Sequence, residues 1–292
     1  MQQRVVKYFS LIKFSHTIFA MPFAFIGFFL GVQSSAIELT NPILIPKLIG
    51  VIACMVFARS AAMAFNRFLD RSFDARNPRT AIREIPAGKV SPGNALVFTI
   101  LNALLFVASA WFINWICFIL SPVALAVVLG YSYTKRFTAL CHLILGIGLS
   151  LAPIGAYLAV TGSFDVLPLL FSAAVICWVS GFDIIYALQD EEFDRSNQLH
   201  SIPAWLGKAN ALRVSRVLHV ISFLTIVAAC WYGNFGWSYA LGAFIYGGML
   251  VYQQRLVSPE DLSRVNLAFM TANGIASVFF AIFVLADLFI FH

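Results

Sequence analysis

Charged side chains are scarce in this sequence of 292 residues. Only 11% of the residues are Asp, Glu, Lys or Arg, whereas 61% are hydrophobic and the mean hydropathy is +0.87. A water-soluble globular chain carries charge on roughly a quarter of its residues. The composition therefore excludes a soluble protein and predicts one that lies in a membrane.

Short segments of alternating apolar and polar residues, which build outer-membrane barrels, are also lacking, because the apolar runs are long and continuous. A membrane-spanning helix needs about 20 apolar residues. By that measure the candidate spans number nine, at residues 14–33, 43–64, 94–113, 115–133, 139–161, 165–186, 212–231, 237–252 and 268–290. We expect an all-α, polytopic membrane protein in which residues 1–292 form a single transmembrane domain.

Cysteine pairs of the CxxC type are absent. The five cysteines all fall inside predicted spans. Cysteines in such positions are typical packing residues, so we expect neither disulfides nor a cysteine metal site.

The few charges are unevenly distributed. If the spans alternate in direction, one membrane face receives the N-terminus and the connections near 65–93, 134–138, 187–211 and 253–267. Together with Arg213 and Arg216, at the start of the seventh predicted span, these segments place 17 of the 19 Lys and Arg residues on this face, while Lys47 falls on the other side and Arg59 inside a span. Because short basic loops stay in the cytoplasm, we expect a cytoplasmic N-terminus, an outer C-terminus and insertion in the cell (inner) membrane. The net charge of +6 then reflects topology and predicts no nucleic-acid partner.

A first acidic stripe continues the second predicted span. Asn66, Asp70 and Asp74 are spaced i, i+4, i+8, so on a continued helix they share one face. Arg59 lies seven residues earlier on that face, inside the membrane.

A second stripe leaves the sixth span on the same side of the membrane. Its members are Asp183, Tyr186, Asp190 and Asp194, spaced i, i+3, i+7, i+11. Like charges at this spacing repel, so two such stripes at one face need a compensating cation. Oxygen ligands suit Mg²⁺, which also binds substrate phosphates. The nearby basic residues that suit a diphosphate are Arg67, Arg71, Arg79, Arg83, Lys135 and Arg136.

The acidic stripes and the two intramembrane charges, Arg59 and Asp183, both have plainer interpretations. A charged segment at a membrane surface is commonly a solvated loop that orients the chain, and Arg59 and Asp183 would suit a structural ion pair. Intramembrane charges are costly, however, and they usually face an interior site. The same spacing repeated on one face favours a functional site.

Four motifs follow one another along the chain. They are Asn66-x3-Asp70-x3-Asp74, Arg79-Thr80-x2-Arg83 with Ile85-Pro86-x-Gly88, Tyr131-x3-Lys135-Arg136-x-Thr138, and Asp183-x2-Tyr186-x3-Asp190-x3-Asp194. In this order they resemble the motifs of the UbiA superfamily of intramembrane aromatic prenyltransferases. The likeness extends from Lys13 to about Gly207.

The resemblance implies a helical bundle capped on the cytoplasmic side by the loops near 67–93 and 187–211. Gly88, Gly93 and Gly207 are candidate hinges of these loops, and a role in turns is the alternative for each. It also implies Mg²⁺-dependent transfer of a polyprenyl group from its diphosphate to a ring carbon of an aromatic acid. The partners are then these two substrates and the lipid bilayer, with no obligate protein partner.

The resemblance also implies roles for individual residues. The implied Mg²⁺ ligands are Asn66, Asp70, Asp74, Asp190 and Asp194. The residues implied around the diphosphate and the reacting groups are Arg67, Arg71, Tyr131, Lys135, Arg136, Asp183 and Tyr186. Tyr186 would face the allylic cation or orient a diphosphate oxygen, and an interfacial anchor is the alternative. Arg59 is the candidate to bind the acceptor's carboxylate, with Lys13 and His16 as alternatives.

Two departures from the family pattern bear on the acceptor. Glu84 stands where a proline is common, and residues 199–203 replace a lysine-containing segment of 4-hydroxybenzoate enzymes. The sequence at these positions resembles that of a subgroup called 4-hydroxybenzoate polyprenyltransferase-like. Members of this subgroup are linked to menaquinone formation from 1,4-dihydroxy-6-naphthoate. Both acids stay open as acceptors in respiratory quinone biosynthesis. A membrane transporter is the alternative from another class, although charge gathered at one face favours an enzyme.

Overall fold

The structure is a computed structural model that describes residues 20–291, and all regular secondary structure within that range is helical. The long helices are α1 (Met21–Ser34), α2 (Leu44–Leu69), α4 (Pro92–Ile113), α5 (Trp115–Thr134), α6 (Cys141–Thr161), α7 (Val166–Ala187), α9 (Ile202–Tyr232), α10 (Trp237–Arg255) and α11 (Val265–Phe291). Two short helices, α3 (Arg71–Arg76) and α8 (Glu191–Ser196), follow α2 and α7. The all-α prediction is confirmed.

Seven helices among residues 20–291 are long and apolar enough to cross a membrane, which makes the chain a multi-pass membrane protein. They are α2, α4, α5, α6, α7 with its continuation to Ser196, α9 and α11. The other two predicted spans match α1, of which 14 residues are described, and α10. Helix α10 is less apolar because it carries Tyr239, Tyr246, Tyr252 and the sequence Gln253-Gln254-Arg255. The predicted count of nine spans is therefore not confirmed.

Helix α7 lies at the centre of the bundle. It packs against α6 and α9, and its Trp178 is fully buried in the main hydrophobic core. Around Trp178 lie Phe23 of α1, Tyr246 of α10 and Phe182 of α7 itself, at ring centroid distances of 5.3, 6.1 and 5.3 Å. The indole nitrogen donates to Asn273 Oδ1 of α11 at 2.9 Å. This packing fixes the height of α7, whose last turns carry the second acidic stripe.

The turn between α4 and α5 is tied to the end of α6. Asn114 separates the two helices, and its Nδ2 donates to the Leu158 carbonyl at 2.8 Å. Lys47 of α2 donates to the carbonyls of Ala159 and Val160 at 2.8 and 3.1 Å. A cation is favourable at the negative end of a helix. This bond accounts for the single basic residue predicted on the side opposite the acidic stripes.

The cap differs from the loops that the sequence suggests. The segment 187–211 is mostly helical, since it contains a 3₁₀ turn at Leu188–Asp190, α8 and the first turns of α9. Neither acidic stripe runs on one continuous helix, because α2 stops at Leu69 and α3 restarts after Asp70. Of the three candidate hinges, Gly88 and Gly207 have φ values of +69° and +76°, whereas Gly93 lies in the first turn of α4.

Candidate active site

Two cavities meet inside the bundle. A polar one of about 250 Å³ lies where α2, α5 and α7 end, and an apolar one of about 350 Å³ extends between α2, α4, α5 and α6. Arg59, Tyr131 and Leu145 line both cavities. The site therefore joins an ionic compartment to an apolar one through a boundary that carries one cation.

The first acidic stripe reaches the polar cavity from α2 and α3. Asp70 Oδ1 accepts from Arg136 Nη2 at 2.9 Å, and its Oδ2 accepts from Asn66 Nδ2 at 3.0 Å. Burial raises the pKa of the Asp70 carboxyl, and the neighbouring Arg136 offsets this only in part. Asp74 pairs with Arg83 at 2.6 Å through Oδ1, while its buried Oδ2 has no hydrogen-bond partner within the described residues.

The second stripe faces the first from α7 and the segment after it. Asp190 forms a two-point ion pair with the Arg79 guanidinium and accepts from Asn77 Nδ2 at 3.0 Å. Arg79 also donates to the Tyr186 hydroxyl at 3.1 Å. Burial opposes the charge on Arg79, but its bond to Asp190 outweighs burial and raises the Arg79 pKa. The segment between α3 and α4 is thereby tied to α7.

A third ion pair connects the loop after α5, which carries Lys135 and Arg136, to α8. Lys135 Nζ lies 2.7 Å from Oδ1 of Asp194, which is fully buried, and Ser201 Oγ donates to its Oδ2 at 2.9 Å. Burial by itself would lower the pKa of Lys135, but the carboxylate of Asp194 outweighs it and the pKa is raised. Four of the five stripe aspartates thus pair with a lysine or arginine: Asp70 with Arg136, Asp74 with Arg83, Asp190 with Arg79 and Asp194 with Lys135.

Most of the residues predicted from the sequence line this one polar cavity. They are Arg59, Asn66, Arg67, Asp70, Asp74, Arg79, Arg83, Tyr131, Lys135, Arg136, Asp183, Tyr186, Asp190 and Asp194. Arg71 does not, because its exposed side chain bonds the Phe68 carbonyl at 2.6 Å and covers the Phe68 ring. Lys13 and His16 lie outside the described residues.

The donor set suits a hard divalent cation. Within residues 20–291 no three His, Cys, Asp or Glu side chains stand close enough together to hold an ion by themselves. Mg²⁺ needs only one or two carboxylates when water and phosphate oxygens complete its octahedron. Five carboxylates and the Asn66 amide line the cavity, and Asp74 offers a buried oxygen that has no hydrogen-bond partner among residues 20–291. The residues present therefore fit the predicted ion.

The two intramembrane charges do not form the simple ion pair that the plainer interpretation suggests. Asp183 Oδ2 bonds His142 Nδ1 at 2.7 Å, and the buried Nε of Arg59 has no hydrogen-bond partner among residues 20–291. Arg59 is thus a cation with capacity for an anionic ligand at the boundary of the two cavities. Arg67, which is 4% exposed, likewise has a buried Nε without a partner in the described part of the chain.

Sequence reasoning overlooked some residues of the site. His142, Asn77 and Ser201 were not candidates, although each bonds a stripe aspartate. His142 could have been recognised from the sequence, because it is a polar residue near the start of an apolar span, about one turn after the loop that carries Lys135 and Arg136. Asn77 lies in a bend after α3 and Ser201 caps the N-terminus of α9, and at both positions polar residues are expected for local reasons.

Comparisons with known proteins agree with this geometry. A sequence model of the UbiA prenyltransferase family matches residues 20–283. The chain is 30% identical over 229 residues to the 4-hydroxybenzoate octaprenyltransferase of Tolumonas auensis, covering 78% of this chain and 79% of that protein. It is 31% identical over 237 residues to the protein of the same description from Methylococcus capsulatus, covering 80% of each.

Solved structures show the same fold. The structure of a UbiA homologue from Aeropyrum pernix superposes with a TM-score of 0.78 at 31% identity, covering 93% of this chain and 96% of that one. A UbiA homologue from Archaeoglobus fulgidus, solved with DMAPP and Mg²⁺, gives a TM-score of 0.72 at 19% identity, covering 97% and 99%. The second likeness bears on the fold alone. The motifs, the family match and the relatives agree, and the chain belongs to the UbiA family as a membrane-embedded prenyltransferase.

Proposed function

We propose that this protein transfers a polyprenyl group from its diphosphate to a ring carbon of a hydroxylated aromatic acid, with Mg²⁺, in respiratory quinone biosynthesis. One observation carries the proposal: an ionic cavity lined by two acidic stripes opens, past Arg59 and Tyr131, into an apolar cavity. The charged diphosphate of the donor would fit the polar cavity, and its isoprenoid tail would fit the apolar cavity. The names of the relatives from Tolumonas and Methylococcus, and the DMAPP and Mg²⁺ bound by the Archaeoglobus protein, support it.

The metal would be held by Asp70, Asp74, Asp190 and Asp194, with Asn66 beside them. When bound, Mg²⁺ neutralises charge on the diphosphate and so makes it a better leaving group. The basic partners of these aspartates then become available to phosphate oxygens. Arginine suits that task because its planar guanidinium binds phosphate through two parallel hydrogen bonds.

The protein's own cations would favour ionisation of the donor. Lys135, Arg136, Arg79 and Arg67 line the cavity where the carbon–oxygen bond breaks and its electron pair leaves with the diphosphate. Their stabilisation grows as the leaving group becomes more negative, which lowers the barrier. The exposed Arg71 takes no part in this step. The Tyr186 ring, beside Phe269 at 4.4 Å, offers a π face to the allylic cation.

The acceptor would attack through a ring carbon that then loses its proton. Arg59 is suited to hold the acceptor's carboxylate, because its buried Nε has no hydrogen-bond partner in the part of the chain that the structure describes and an anionic ligand would supply one. The apolar cavity beyond it, lined by residues such as Val51, Phe106 and Leu149, would take the tail. Apolar walls also exclude water, which would otherwise quench the cation.

The acceptor is either 4-hydroxybenzoate or 1,4-dihydroxy-6-naphthoate. The relatives' names favour the first, and the sequence departures at Glu84 and residues 199–203 favour the second. We further propose that residues 1–292 form a single domain in the cell (inner) membrane, with the N-terminus and the polar cavity on the cytoplasmic side. The distribution of basic residues supports this orientation.

A side-by-side assay tests the reaction. Purified protein in lipid nanodiscs would receive octaprenyl diphosphate, Mg²⁺ and one of the two acids, and mass spectrometry would detect the prenylated product. We expect carbon-prenylated product with at least one acid, and the better acid identifies the acceptor. Absence of product with both acids would overturn the proposal.

A further inference from the structure

His142 is a buried polar residue that neither the sequence motifs nor the reaction scheme above uses. It lies in the first turn of α6 and is 3% exposed. Its ring bridges two other elements: Nδ1 contacts Asp183 Oδ2 of α7 at 2.7 Å, and Nε2 accepts from the Ile202 N–H of α9 at 3.3 Å.

The second contact determines how the ring is protonated. A backbone N–H only donates, so Nε2 must present its lone pair to Ile202. The ring proton therefore resides on Nδ1 and is donated to Asp183. His142 thus holds one carboxylate oxygen of Asp183 in a fixed place.

Asp183 is the part of this pair that faces the site. Its side chain is 23% exposed and lines the polar cavity, whereas His142 is almost wholly covered. Arg59 and Tyr131, at the boundary with the apolar cavity, are electrostatic neighbours of Asp183. The carboxylate of Asp183 contacts His142 at ion-pair distance. The cation of Arg59 and the anion of Asp183 therefore stay separate at this boundary.

A separate cation and anion match the two ends of a hydroxylated aromatic acid. When Arg59 binds the carboxylate of the aromatic acid, the hydroxyl group of that acid still needs an atom that accepts its hydrogen bond. A charged carboxylate is a strong hydrogen-bond acceptor, and its bond to the hydroxyl pushes electron density into the ring. The adjacent ring carbon then becomes a better nucleophile. Only a hydrogen bond forms at this stage, so no proton needs to be transferred.

We propose that His142 is a positioning residue that orients Asp183 to accept a hydrogen bond from the acceptor's hydroxyl group. This assignment rests on the function proposed above. It gives the site a selectivity for hydroxylated acids that Arg59 alone does not provide.

The test compares acids with and without the hydroxyl group. Binding of 4-hydroxybenzoate and of benzoate would be measured by equilibrium dialysis on the wild type, His142→Leu and His142→Asn, with donor KM measured in parallel. If 1,4-dihydroxy-6-naphthoate is the better acceptor, it is paired with 2-naphthoate. Asparagine places an N–H near the position of Nδ1, whereas leucine has no donor. His219, also 3% exposed but in the α9 core, supplies the matched control His219→Leu.

We expect the wild type to prefer the hydroxylated acid by about tenfold, the size of one hydrogen bond to a charged group. His142→Leu should bind the two acids about equally with an unchanged donor KM, and His142→Asn should restore most of the preference. His219→Leu should keep the wild-type preference even if it lowers the melting temperature. An unchanged preference in His142→Leu, an equal loss of donor and acceptor binding there, or no rescue by asparagine would overturn the assignment. If the wild type prenylates neither acid, the proposed function itself fails, and that result is recorded before any variant is compared.

Discussion

Single side chains decide what this cavity can hold. The aspartates were recognisable in the sequence because a repeated spacing of carboxylates has few structural explanations. Their partners were harder to assign, since a surface arginine has many available contacts. Arg71 and Arg79 are both basic residues after α2, yet Arg79 reaches Asp190 across the cavity whereas Arg71 folds back on Phe68. The direction of each side chain depends on where α3 ends, which the sequence does not reveal.

Arg59 provides the sharpest test of the acceptor site. In Arg59→Ala we expect the KM for the acceptor to rise by about 10- to 100-fold, because a charged hydrogen bond to its carboxylate is lost. The KM for the polyprenyl diphosphate should stay within about twofold. Steady-state kinetics with each substrate varied in turn measures both values.

The control is Arg213→Ala, which removes an exposed arginine of α9 that donates to Asn210 three residues earlier on the same helix. Its kinetics should match those of the wild type. An unchanged acceptor KM in Arg59→Ala would remove Arg59 from the acceptor site.

Helix ends and turns, more than helix centres, set the geometry around the cavity. The spans could be predicted from their apolar length. The break of α2 at Asp70 and the helical structure of 187–211 could not be predicted. Bonds between different elements accompany both features: Arg136 donates to the Leu69 carbonyl and to Asp70 where α2 breaks, and the Ile202 N–H donates to His142 where α9 begins. Gly207 marks the point where α9 changes direction, with φ of +76°.

The Gly207 turn predicts a stability effect. In Gly207→Ala a β-carbon must adopt a backbone conformation that only glycine visits readily, so we expect a loss of about 1–3 kcal/mol in unfolding free energy. Thermal or denaturant unfolding in detergent measures it. Gly248→Ala is the matched control, because Gly248 lies inside α10 with nothing within 4 Å of an added β-carbon. That control should be neutral or slightly stabilising, and equal effects for both variants would contradict the strain at Gly207.

The bundle as a whole separates an ionic end from an apolar interior. This property was predictable from the sequence, because 17 of 19 basic residues fall on one predicted side. The number of spans was less predictable, since α10 mixes tyrosines and glutamines with apolar residues and the first predicted span begins outside the described part. The joining of the two cavities was not predictable at all, because it depends on how α2, α5 and α6 pack.

The orientation of the bundle makes its own prediction. In a cysteine-free background, Ser163→Cys, between α6 and α7, should react with a membrane-impermeant maleimide in intact cells. Ser196→Cys, at the end of α8, should react only after the membrane is permeabilised if the polar cavity faces the cytoplasm, as we propose. Both side chains are exposed, which makes the pair comparable. The reverse labelling pattern would invert the topology.

The central claim is that the two acidic stripes act together on one Mg²⁺-bound diphosphate. The most direct measurement is the rate of polyprenyl transfer, with Mg²⁺ and with EDTA, by the wild type, Asp70→Asn, Asp190→Asn and the exposed control Asp261→Asn. We expect EDTA to abolish transfer by the wild type and each stripe variant to lose about 100-fold or more in kcat, since either change weakens charge stabilisation at the leaving group. Asp261→Asn should retain wild-type activity. Near-normal, Mg²⁺-independent transfer by Asp70→Asn or Asp190→Asn would contradict the account.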